Sequence, residues 1–147
     1  MSGNCLELNP DILPYQVRLN DMDLHPLSVN SGQQHWIIQK DDEGWYRIRG
    51  YLWDLQLTSS ANPLQDPTLY LLKPRADNPS KATPNIGAEI SIDPSQMQWK
   101  FVQASDKVRI ISRVSLRSGS SYVALSAGRI GDKMSGVLAS GFAEETW

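Results

Sequence analysis

Three tryptophans, each closing a polar stretch, constrain most strongly what this chain can fold into: Gln33-Gln-His-Trp36, Gln96-Met-Gln-Trp99 and Glu144-Glu-Thr-Trp147. After the first two, an apolar run follows (Trp36-Ile-Ile; Trp99-Lys-Phe-Val102), then a turn (Asp41-Asp-Glu-Gly44; Ala104-Ser-Asp-Lys107). A second run comes next, Tyr46-Arg-Ile48 or Val108-Arg-Ile110. Trp36 to Ile48 spans 12 residues and Trp99 to Ile110 spans 11. A spacing of 12 recurs from Val17 to Val29, Leu57 to Leu69 and Leu125 to Val137. Self-similarity of this kind marks a chain built from repeated supersecondary units. The units here run roughly 1–36, 37–99 and 100–147.

Each unit reads as strands. Tyr15–Leu19, Tyr46–Arg49, Leu55–Thr58, Val108–Ile111 and Tyr122–Leu125 alternate apolar residues with Arg, Gln or Thr, the pattern of a half-buried strand. No apolar series holds a helical period over a dozen residues without Pro or Gly breaking it. Ten glycines and nine prolines supply turns between the short runs. The Pro, Asn and Ser-rich stretch from Lys73 to Glu89 fits no strand and is expected to be a loop excursion.

Three units of about four strands in 147 residues predict a single all-β domain, and specifically a β-trefoil. In that fold six strands close a short barrel and three hairpins cap one end, so closure hides the sheet edges. A β-sandwich with coincidental tryptophan spacing is the competing architecture.

Composition removes several functions. Fourteen basic against sixteen acidic residues give a net charge of −2, with no basic excess for nucleic acid. No apolar run is long enough to span a bilayer, and the segment from Met1 to Glu7 lacks a secretory pattern. Cys5 is the only cysteine, which excludes an internal disulfide and fits a reducing compartment; the expected location is cytoplasmic, or outside by a route without a signal peptide. One cysteine with His25 and His35 cannot build a zinc site. Gly136 and Gly141 with nearby serines form no nucleophile elbow. Gly128-Arg-Ile-Gly131 lacks the helix of a phosphate loop. A non-enzymatic binding protein without cofactor or metal is the expectation.

Two family resemblances bear on what is bound. Gln34-His35-Trp36 resembles the Gln-x-Trp motif of the ricin-type β-trefoil lectins common in fungi, and Met97-Gln98-Trp99 and Glu145-Thr146-Trp147 resemble degenerate copies. The resemblance implies a structural tryptophan with a satisfied indole N–H. It also implies a third-strand Asp gripping two sugar hydroxyls, but the matching positions are Arg18, Gln56 and Ala124. A sugar site would then use Asp21, Asp23, His25, Gln33 and Gln34 in the first unit, or Trp53 and Asp54 in the second.

The segment Trp99-Lys-Phe-Val-Gln-Ala-Ser-Asp-Lys-Val-Arg-Ile-Ile-Ser-Arg-Val is similar to the mycocypins, fungal trefoil protease inhibitors that present rigid loops. The loop Gln39-Lys40-Asp41-Asp42-Glu43-Gly44 lacks the Asn of the legumain-blocking members, leaving Lys40, Arg113 or Arg117 to address a trypsin-like pocket, or a loop to enter a papain-like cleft. The expected partners are glycans or glycoproteins, with proteases as the alternative. A homodimer would add avidity to weak sugar sites.

Overall fold

Buried indoles and alternating strands together decide the architecture. The structure, a computed structural model, describes residues 4–9, 16–21, 35–51, 53–63, 65–66, 69–84, 87–116, 123–126, 135–138 and 147. Twelve strands lie among them: β1 (Asn4–Asn9), β2 (Gln16–Asp21), β3 (Trp36–Lys40), β4 (Tyr46–Gly50), β5 (Gln56–Ser59) and β6 (Leu69–Arg75), followed by β7 (Asn78–Thr83), β8 (Ile90–Ser91), β9 (Trp99–Ala104), β10 (Lys107–Ser112), β11 (Val123–Ser126) and β12 (Ser135–Leu138). The only helices among the described residues are a 3-10 turn, Pro94–Met97, and one α-helical turn, α1 (Arg113–Leu116). The chain is all-β, and the described residues of the five alternating runs, Leu55 apart, fall on strands.

β1 and β2 pair with each other, with Leu6 opposite Leu19. The remaining strands form one antiparallel sheet in the order β12-β11-β10-β9-β4-β5-β6-β7-β8, with β3 added on β4. Among the described residues this order is open, because no ladder joins β12 to β8. β4 is the hub. It pairs with β3 along its whole length, with β9 at Tyr46 and with β5 at Arg49.

The main core lies on one side of this hub. Ile48, Leu55, Leu57, Leu69, Leu71, Trp99 and Leu125 are buried together, and Trp36, Phe101, Ile110 and Trp147 pack against them. The Trp99 indole N–H donates to the Leu57 carbonyl at 3.0 Å, and that of Trp147 donates to Leu125 at 3.3 Å. Their backbones match as well. Trp99 pairs with Tyr46, while Trp147 exchanges two 2.9 Å bonds with Val108. Trp99 and Trp147 therefore make matching indole and backbone contacts.

The stretch 73–89 departs from expectation. β6, β7 and β8 make a meander, with Lys73 opposite Thr83, Ala82 opposite Ile90, and a register shift after Pro74. Polar composition misleads here because only one face needs to be apolar: Leu72, Ala82, Ile92 and Met97 form a second, smaller core beneath it. Asp77 takes the Arg75 guanidinium at 2.6 Å, and the Asn78 side chain accepts the Ser80 amide at 3.1 Å, so the polar residues build the turn. The 3-10 turn that carries Met97 is held by a capping box. Asp93 accepts the Ser95 amide, and Gln96 returns the favour to the Asp93 amide at 2.7 Å.

The indole bonds give a ranked prediction. Trp99→Phe keeps the ring but leaves the buried Leu57 carbonyl unpaired, which costs about 1–3 kcal/mol. Trp147→Phe should cost less, because that indole is only half-buried and its bond is longer. Urea unfolding midpoints at unchanged slope check the order.

Candidate functional site

The turn between β4 and β5 is where the backbone is least comfortable. Gly50 N–H donates to the Leu55 carbonyl at 2.8 Å and Tyr51 N–H to the His35 carbonyl at 3.0 Å, which fixes both ends of the turn. Between them, Trp53 and Asp54 both take left-handed backbone angles, φ 58° and 55°. That region suits Gly or Asn and costs a bulky residue on the order of 1–2 kcal/mol. Strain of this kind persists where the surroundings impose it, and an outlier is grounds for asking about function.

What the strained turn displays is aromatic and charged. Tyr51 is 64 % exposed and Trp53 is 47 % exposed, unusual for rings of this size. The Asp54 carboxylate accepts from Arg49 at 2.6 Å. The Tyr51 ring meets His35 edge-to-face, with centroids 6.2 Å apart. Exposed aromatic rings beside an oriented carboxylate can stack on an apolar ring face and accept hydroxyl protons.

A second feature lies at the other end of β4. The β3–β4 turn closes with Asp41 N–H donating to the Trp45 carbonyl at 2.7 Å and with Gly44 at φ 87°. The Asp41 carboxylate accepts from the amides of Glu43 and Trp45 and from Gln98 at 2.7 Å. Burial opposes its ionisation, yet the Gln98, Trp45 and Glu43 hydrogen bonds and the Arg47 charge outweigh burial and lower its pKa. Arg113 completes the brace. Its guanidinium donates to Glu43 at 2.6 Å and Gln98 at 2.7 Å, and lies 5.0 Å from the Trp45 ring centroid. Gln39, Lys40, Asp41, Asp42 and Arg47 line a polar recess of about 250 Å3 beside this turn.

The residues singled out from sequence fall unevenly. Trp53 and Asp54 sit together on the strained turn. Lys40 ends β3 with its ammonium 6.0 Å from the Tyr46 ring centroid, and Arg113 is spent on the brace. Asp21 ends β2 opposite Asn4. Asp23, His25, Gln33, Gln34 and Arg117 lie outside the described residues. Arg18 lies opposite Glu7 in the separate β1–β2 ladder, Gln56 opposite Arg49 and Ala124 opposite Ile111. Gln56 accepts from Arg47 at 3.3 Å.

Sequence reasoning missed Tyr51, Arg47 and Arg49. The two arginines flank buried Ile48 in β4, so strand alternation alone places both on the face away from the core. No group of three or more His, Cys, Asp or Glu able to hold a metal occurs among the described residues. No described helix is long and apolar enough to cross a membrane. No known protein family matches the chain, and no curated protein matches it either.

The lowered Asp41 pKa carries a sign. Folding favours the ionised form, so its stabilisation is complete above the unfolded carboxylate pKa, about 3.9, and is lost as pH falls through the lower folded value. Stability measured by thermal melts should therefore drop on acidification below about pH 4. The drop should be smaller in Asp41→Asn than in the native chain.

Proposed function

We propose that this chain is a non-enzymatic carbohydrate-binding protein built on a β-trefoil, with the Trp53 turn as its sugar site. The trefoil reading is supported by the repeated tryptophan geometry. Leu57 and Leu125, the indole acceptors, each follow a matching ladder position, Gln56 or Ala124. The third such position in the sequence is Arg18, so on this reading the three units are related by a pseudo-threefold axis.

One observation carries the sugar site: two exposed aromatic rings beside the Arg49–Asp54 pair, on a turn whose backbone is held in an unfavourable conformation. The ring of Trp53 would cover the apolar face of a sugar, and Asp54, already oriented by Arg49, would accept its hydroxyls. A pre-oriented carboxylate loses little freedom on binding. The site sits on Trp53 and Asp54, where Asp is absent from the third-strand position Gln56. It is a site of this turn, not the three-site arrangement of the lectins the repeat resembles.

A second reading, protease inhibition, draws on the brace of Asp41 and Arg113, which makes the β3–β4 turn a rigid projection. Against a trypsin-like pocket it asks for a basic residue at the tip, but the tip is acidic, Asp41-Asp42-Glu43, and the Arg113 guanidinium is engaged. Entry into a papain-like cleft asks for no such residue, and there the exposed rings and oriented carboxylate of the Trp53 turn favour carbohydrate binding.

The test pairs two substitutions at one position. On a glycan array, Trp53→Ala and Trp53→Gly should both lose the signal of the native protein. Trp53→Gly should be about 1 kcal/mol more stable than Trp53→Ala, because glycine accepts the left-handed angle that alanine resists. A native protein silent on the array, yet a stoichiometric inhibitor of papain-like or trypsin-like proteases, would replace this reading with the second.

A further inference from the structure

The Trp53 turn and the polar recess are not separate features of the surface. Arg47 and Arg49 lie on the same face of β4, opposite buried Ile48. Arg47 lines the recess at one end and bonds to Gln56 on the neighbouring strand. Arg49 stands opposite Gln56 and holds Asp54 at the other end. The five residues of β4 separate the two ends by roughly 13 Å at ~3.3 Å per residue, well beyond the span of one sugar ring.

We infer that this face is one continuous binding track for a neutral, linear oligosaccharide, with Trp53 gripping one end and the recess receiving the other; the inference rests on the carbohydrate reading above. Charge selects the ligand class. Lys40, Arg47 and Arg49 stand against Asp41, Asp42 and Asp54, so the track carries no net charge and gives a polyanion nothing to neutralise. The middle is pre-arranged, since Arg47 and Arg49 already have Gln56 and Asp54 as partners. The far end is open. Gln39 and Asp42 line the recess without a hydrogen-bond partner among the described residues, and Asp41 is locked into the turn. An open amide and carboxylate in a polar recess of about 250 Å3 suit the hydroxyls of a second sugar unit.

Calorimetric titration with mono-, di-, tri- and tetrasaccharides of glucose, mannose, galactose and N-acetylglucosamine tests this. In at least one series the affinity should rise at least about tenfold from the mono- to the trisaccharide, as a second contact engages on the same molecule. Asp42→Ala and Gln39→Ala should erase that gain and leave the monosaccharide Kd unchanged, whereas Trp53→Ala should remove binding at every length. A sulfated oligosaccharide should bind no better than its neutral counterpart. Binding that needs Trp53 but ignores chain length, ignores Asp42→Ala, or prefers the sulfated ligand overturns the track and leaves the single Trp53 site standing. No binding of any sugar overturns the carbohydrate reading and the track with it.

Discussion

The Trp99 indole bond to the Leu57 carbonyl is the interaction on which the rest of the sheet depends. It joins residues 42 apart in sequence, inside a core where an unpaired carbonyl would be costly. The ring is almost wholly buried, and its backbone pairs with Tyr46, so one residue fixes β9 against both β4 and β5. With β9 placed, β10 follows by its two-residue turn and β11 by its ladder. β4 is thereby held along one edge by β9 and β5, while β3 holds the other.

The site and the scaffold pull in different directions. The strands of the main core largely follow local preference in their alternation and their branched and aromatic residues. The turn after β4 does not, because Trp53 and Asp54 occupy angles that glycine would accept at lower cost. Locally inconsistent residues on a consistent frame are grounds for asking what the turn does. Arg113 shows the opposite case. It is an exposed-looking basic residue in the sequence, yet its donors and its ring contact all serve to hold the β3–β4 turn.

Much of the frame was legible in the residues. Period-two alternation located the strands because one face of each meets the core, and Trp99 and Trp147 stood out in the sequence as residues that need both a pocket and an acceptor. The β6–β8 meander was not legible. Its anchors, Leu72, Ala82, Ile92 and Met97, are too sparse and too far apart to form a pattern, while its Pro, Asn and Ser residues face solvent or build turns. Trp53 and Asp54 stood out as an aromatic beside an acid, but left-handed backbone leaves no trace in side-chain identity. Tyr51 and Arg49 joined the site only once the strand put them beside those two.

β6 has apolar residues on both faces, since Leu71 enters the main core while Leu72 enters the smaller one. A slip of one residue would carry one of these leucines into the other's core and leave the other on the exposed position of Tyr70 or Lys73. Tyr70 adds to that cost. The slip would drive its hydroxyl, now bonded to Asp66 at 2.9 Å, into the space of Leu69 or Leu71. Two adjoining cores can therefore share one strand because neither tolerates the other's leucine arriving out of turn, and one phenol at the surface reinforces the choice.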